Sequence, residues 1–261
     1  MKSFKMKTLS MAVTGFAGLA LAGSALAVCP TGATVANGGA WSAQTASVDA
    51  TLAIVSPGLN GTSCALQVSL AATPASNVKG YVTDNSPQNE PRYRARFYID
   101  LSSLTNLSTS TQQFETFDAF ANTAPGVLTT DELRIYVLGS GAIRFLVGDS
   151  SLPSGAKVIS VPLPTSATKK YRIEFDLQTG SPGSFRYWVT DAATTTVDTG
   201  TAAAGGPTGT YAPTNAGWSG VLTANLGLYS TSVGFRTQVA GPTQTYRLDE
   251  FDSRRQTFIG L

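Results

Sequence analysis

Apolar and polar residues alternate with period two along many stretches of this chain. Cys64, Leu66, Val68 and Leu70 alternate with Ala65, Gln67 and Ser69. Tyr93, Ala95, Phe97 and Ile99 alternate with Arg92, Arg94, Arg96 and Tyr98. The same rhythm runs through Leu133–Leu138, Ile143–Val147, Tyr171–Gln178 and Phe185–Thr190, and it resumes at Val221–Tyr229 and Thr245–Phe251. Successive strand side chains point to opposite faces, so each stretch predicts a strand with one apolar face. No window carries a helical apolar stripe with caps.

The connections agree with this. Gly139-Ser140-Gly141 is a tight hairpin signal, and Gln178–Gly183 and Asp149–Ala156 are two longer ones. Sequential hairpins imply antiparallel sheets. Thr194–Gly217 is a Thr/Ala/Gly/Pro-rich connection, read as a long loop around a short strand. The expected fold is all-β, a two-sheet antiparallel β-sandwich forming a single domain over residues 28–261. An outer-membrane barrel also alternates, but it needs more regularly spaced strands than this chain offers.

The first 27 residues read as an export signal. Lys2, Lys5 and Lys7 precede an apolar run too short to span a membrane, and Ala25-Leu26-Ala27 is a small-x-small cleavage site. The remainder has no further hydrophobic span, so the mature chain is expected to carry no transmembrane segment and to be secreted, periplasmic or extracellular. Processing changes the charge: the full chain carries +2, and losing three lysines and no acid leaves −1. Without a basic field, nucleic acid is not an expected partner. Export also frames the two cysteines. In an oxidising compartment Cys29 and Cys64 are expected to pair, closing a loop of about 36 residues. A second reading treats Leu26-Ala27-Val28-Cys29 as a lipoprotein box with Cys29 as the anchor, which would leave Cys64 unpaired.

Three segments resemble the laminin-G-like, concanavalin A-like jellyroll family. Gly61–Val68 looks like an early strand of such modules, Leu133–Trp188 like their central meander, and Tyr246–Gly260 like the closing strand and tail. The resemblance implies two stacked antiparallel sheets, one of them concave, whose outward face often receives glycans. Calcium is a further family property. Asp84, Asn85 and Asp149 are the loop oxygens available for it, with no EF-hand or RTX spacing.

The chain has no histidine, which excludes Ser-His-Asp, Cys-His and His-metal sites. Glu174-Phe175-Asp176 resembles part of the Glu-x-Asp-x-Glu strand of retaining glucanases of this overall fold. Glu174 matches the nucleophile and Asp176 the helper, but Gln178 stands at the acid/base position and cannot exchange a proton. Glu174 and Asp176 are therefore the catalytic candidates of a divergent glycan-active hydrolase, set against an ordinary solvated strand face. The outward registers also hold Arg94, Arg96, Arg134, Arg144, Arg172 and Arg186 with Tyr98, Tyr136 and Trp188. Arginine forks suit acidic sugars and aromatic rings stack on sugar faces. Arg134, Tyr136, Arg172, Arg186 and Trp188 are the expected ligand-binding residues, with cross-strand ion pairing as the structural alternative. The expected function is a non-catalytic binding module for an extracellular polysaccharide. The alternative is a structural or adhesive protein that contacts a surface protein.

Overall fold

The computed structural model describes residues 29–72, 74, 78–87, 89–105, 107–121, 131–193, 206–216, 220–239 and 243–254. The predicted export signal and the tail around Phe258-Ile259 lie outside the described residues. Fourteen strands form within them: β1 (Ala43–Ala46), β2 (Ala50–Val55), β3 (Ala65–Leu70), β4 (Gly80–Asp84), β5 (Arg92–Asp100), β6 (Gln113–Phe120), β7 (Asp131–Leu138), β8 (Ala142–Gly148), β9 (Ala156–Pro162), β10 (Lys170–Gln178), β11 (Ser184–Asp191), β12 (Gly209–Tyr211), β13 (Thr223–Thr231) and β14 (Gln244–Arg254). A short helix, α1 (Val233–Gln238), follows β13.

The strands make two seven-stranded sheets, and every strand pairing within them is antiparallel. The first runs β1-β4-β13-β6-β7-β8-β9, the second β12-β11-β10-β5-β14-β3-β2. The all-β sandwich expected from alternation is what forms. The three hairpin signals fall between β7 and β8, β8 and β9, and β10 and β11, each pair hydrogen-bonded. The short strand expected inside the Thr/Ala/Gly/Pro connection is β12, which pairs with β11.

The inward faces meet through aromatic rings. Phe117 of the first sheet touches Phe175 of the second at 5.0 Å, and Phe145 meets Phe185 at 5.4 Å and Tyr187 at 4.8 Å. Phe114 packs on Tyr246 across the sandwich at 4.9 Å. Each ring buries a large apolar area, and these pairs set the sheet separation. Helix α1 closes one end. Ser232 caps it by accepting from the Phe235 N–H at 3.0 Å, and Phe235 packs at 5.0 Å on Phe114.

Cys29 and Cys64 are bridged, with Cα atoms 5.6 Å apart. The bridge fastens the first described residue to the start of β3. Closing a loop of this length stabilises by about 3–4 kcal/mol in the chain-entropy model. Replacing both cysteines by serine should lower the urea-unfolding free energy by about that amount. A change below about 1 kcal/mol would mean that the unfolded chain gains little freedom when the bridge is removed.

Candidate functional site

Strand β6 decides what the outer face of the first sheet carries. Its sequence, Gln113-Phe114-Glu115-Thr116-Phe117-Asp118, spaces two core phenylalanines three residues apart. A plain strand would put one of them outside. The register solves this with a bulge: Glu115 lies opposite Tyr136 and Phe117 opposite Ile135, leaving Thr116 as the extra residue. Phe114 and Phe117 both reach the core, and Glu115 and Asp118 both face outward.

The neighbouring strands complete a polar row. Asp118 lies between Asn225 of β13 and Arg134 of β7. Asn225 accepts from the Thr83 hydroxyl of β4 at 2.9 Å. Glu115 accepts from the Ser230 hydroxyl at 2.7 Å and lies 3.7 Å from Arg134, which also pairs with Asp131. Beside them Tyr81 and Tyr229 pack at 5.1 Å, with the Lys79 ammonium 5.0 Å over the Tyr229 ring. Gly227 stands opposite Tyr81 in the register and lets β13 approach β4 closely. Its φ of +139° is closed to other residues, and a Cβ there would lie 2.4 Å from the Gly80 carbonyl oxygen.

This outer face is buried where its acids stand. Asp118 and Glu132 are both 0% exposed, and neither carboxyl has a hydrogen-bond partner. Burial pushes Glu132 up to about 8. Burial, with Glu115 adding its charge, raises Asp118 well above the usual carboxylate range against the pull of Arg134. Burial likewise raises Glu115, opposed by Arg134 and by hydrogen bonds from Ser230 and Tyr136. The Tyr136 and Tyr229 phenols are pushed up by burial and by nearby acids. At neutral pH Glu132 and both phenols therefore hold their protons, and Asp118, in register with Arg134, is shifted in the same direction.

The five residues expected to bind ligand do not share a face. Arg134 and Tyr136 lie on the first sheet, within the row just described. Arg172, Arg186 and Trp188 lie on the outer face of the second sheet, with Arg94, Arg96 and Tyr98. On that second face, the expectation of an ordinary solvated strand surface is corrected. Glu174 and Asp176 are both 0% exposed. Asp176 is held by three arginines: Arg92 at 2.8 and 2.9 Å, Arg94 at 3.2 Å, and Arg186 at 2.5 and 3.2 Å. Burial would raise its pKa, but the bonds from Arg92 and Arg186 and the Arg94 charge prevail and hold it low. Glu174 stands in register between Arg96 and Trp188. Asp176 is thus the common ion-pair partner of arginines from β5 and β11.

Asp149 is also fully engaged. One oxygen accepts from the Ser151 N–H and hydroxyl and from the Asn215 N–H; the other accepts from the Tyr211 hydroxyl at 2.6 Å and the Thr214 N–H. These bonds hold its pKa far down despite its burial, and they tie the β8–β9 loop to residues 211–215. Both oxygens are thus taken up by the fold rather than left for calcium. Asp84 accepts from the Ser86 N–H in a local turn next to Asn85. Among the described residues, no group of three or more acids or cysteines is placed to hold a metal ion.

No family model and no characterised protein sequence matches this chain. Solved structures do resemble it. An endo-β-1,4-glucuronan lyase from the fungus Trichoderma reesei superposes with a TM-score of 0.57 at 16% identity, covering 82% of this chain and 91% of that one. The cellulose-induced protein Cip1 gives 0.51 at 16% identity, over 85% and 93%. The alginate lyase Aly36B gives 0.50 at 14% identity, over 75% and 82%. At these identities the likeness establishes the fold, a jellyroll sandwich consistent with the concanavalin A-like class, and does not single out its laminin-G-like branch.

Glu115, Asp118, Tyr229 and Asn225 went unmarked in the sequence. The available signal was the Phe-x-x-Phe spacing of β6 with acids at 115 and 118, which only a bulge reconciles with a strand.

Proposed function

We propose that this protein is a secreted polysaccharide-binding module whose ligand lies across the outer face of the first sheet. One observation carries the reading: Asp118 is wholly buried on an outward face, without a hydrogen-bond partner, in register with Asn225 and Arg134. Buried polar groups are nearly always satisfied, so an orphan in such company marks a place for something else to bind. Sugar hydroxyls both donate and accept, so they match a buried carboxyl in either protonation state, and Tyr81 with Tyr229 offers a stacking surface. The glucuronan lyase, the cellulose-induced protein and the alginate lyase among the similar structures support the ligand class, and the laminin-G-like order of motifs supports a binding module. The disulfide is consistent with export. No helix among the described residues is long and apolar enough to cross a membrane.

Thermal unfolding against glucuronan, alginate, cello-oligosaccharides and dextran tests the proposal. At about a hundredfold excess over Kd, a bound glycan should raise the midpoint by roughly 5–10 °C. Arg134→Gln and Tyr229→Ala should each remove most of that rise. A rise that both variants keep, or none across the panel, would overturn this site and favour a surface-protein partner. Ultraviolet absorbance from unsaturated uronate ends, or new reducing ends, would instead establish a glycan-cleaving enzyme.

A further inference from the structure

One end of the sandwich holds a cavity of about 330 Å³, within the range of roughly 300–1,000 Å³ usual for small-molecule sites. Both sheets contribute to it. Leu104 and Leu107 follow β5, Val137 belongs to β7, Leu163 follows β9, and Tyr171 stands near the start of β10. Leu104, Val137 and Tyr171 are buried, and Leu107 and Leu163 pack half-buried against the same core. Protein interiors hold few voids larger than a water molecule, and an apolar void gives water too few polar partners to settle there. Such walls match aliphatic surface instead. The lining has one charged residue among the described residues, Lys169, in the segment between β9 and β10. Lys169 is exposed, and no described acid pairs with it. Asp100 lies 3.9 Å from Lys170, and Asp191 is the register partner of Tyr171. The Lys169 backbone has a φ of +53°, in the left-handed region that few lysines adopt, and its carbonyl accepts from the Leu101 N–H at 3.0 Å. The end of β5 thus fixes Lys169 beside the cavity, and a strained position that the fold maintains points to a role.

We propose that this cavity binds a medium-chain aliphatic carboxylate, with its tail between Leu104, Val137 and Leu163 and its head on the Lys169 ammonium. The apolar walls select the tail, and burying it supplies most of the affinity. The lysine selects the charge: the described lining offers a carboxylate one cation and offers a cationic head no acid. A flexible four-carbon stem lets the Lys169 ammonium meet the head while both stay hydrated. The cavity lies between the ends of the two sheets, apart from the outer face proposed to hold glycan, and does not depend on that reading.

Calorimetric titration of the full mature protein with hexanoate, octanoate and decanoate, each below its micelle concentration, tests the proposal. Saturable binding of one molecule per chain is expected, tightening about tenfold with each added pair of methylenes. Decan-1-ol and decylamine keep the tail and change the head. Decanol should bind about two- to fivefold more weakly than decanoate, the worth of an exposed ion pair, and decylamine more weakly still. Lys169→Gln should weaken decanoate by the same two- to fivefold and leave decanol unchanged, a split that general loss of structure would not produce. Lys157→Gln removes an equal charge from β9 and should leave decanoate binding unchanged. Leu163→Trp should fill the cavity and abolish binding of acid and alcohol alike, with circular dichroism verifying that the variant is folded. Absence of saturable binding, an affinity indifferent to chain length, decanoate binding that Lys169→Gln leaves intact, or binding retained by folded Leu163→Trp would overturn the proposal.

Discussion

Replacing Asp176 with alanine should destabilise the protein by about 3–5 kcal/mol, the cost typical of breaking a buried ion pair from one side. Asp176 is the common acceptor for Arg92, Arg94 and Arg186, and it sits inside the second sheet on β10, flanked by β5 and β11. Without it, three guanidiniums face one another, and the buried Arg94 has the least access to water. Asp176→Asn keeps the shape and one acceptor oxygen, so its loss should be smaller. The pH dependence separates this from simple cavity formation. The folded-state pKa of Asp176 is depressed, so its stabilisation is present above the unfolded carboxylate value and fades as pH falls through the folded one. Urea unfolding of wild type and Asp176→Ala should therefore differ most at neutral pH and converge under strong acid. A gap independent of pH would show that packing, not charge, sets the cost.

The opposite sign is expected at Glu132. Its carboxyl is 0% exposed, lacks a hydrogen-bond partner, and is pushed by burial from 4.5 to about 8. In the unfolded chain it ionises near its ordinary value. Between those two values the folded state holds the extra proton, so stability must fall as pH rises, by up to about 1.4 kcal/mol per unit. Across the window this amounts to a loss on the order of 3–5 kcal/mol. The chain has no histidine, so no imidazole titration adds to the slope in this window. Glu132→Gln cannot ionise and should be more stable than wild type at pH 8 while matching it near pH 4. Asp118 and Glu115 are shifted in the same direction and leave a residual slope in the variant. Chemical unfolding at half-unit steps from pH 4 to 9 would measure it. A flat wild-type profile would mean that Glu132 is solvated enough to ionise normally.

These two residues also show how far the sequence could be read. Asp176 was visible as an outward residue of a strand, because Phe175 and Leu177 alternate with it. Its surroundings were not visible, since Arg92, Arg94 and Arg186 come from two other strands. Glu132 and Asp118 are harder cases. Each sits beside a break in the β6–β7 register, at Glu115/Phe117 and Ala119/Phe120, and a period-two reading loses its phase at such breaks. For that reason alternation does not mark β6 as a strand, although it lies at the centre of the first sheet and carries two of the acids of the candidate site.

Local structure was legible in the sequence wherever the period-two phase is unbroken. Alternation specified the strands with an unbroken apolar face, the glycine turns specified their antiparallel hairpins, and the lack of histidine removed whole classes of chemistry. The pairing of Cys29 with Cys64 followed from the expectation of export. Which strands become neighbours was decided only by tertiary structure, because that choice depends on how two apolar faces of many strands close on one another. It put Arg134 and Tyr136 on one sheet and Arg172, Arg186 and Trp188 on the other, and it buried Asp118, Glu132 and Asp176. Burial is what changes their chemistry: a carboxyl cut off from water either keeps its proton, as at Glu132, or gathers cations around it, as at Asp176.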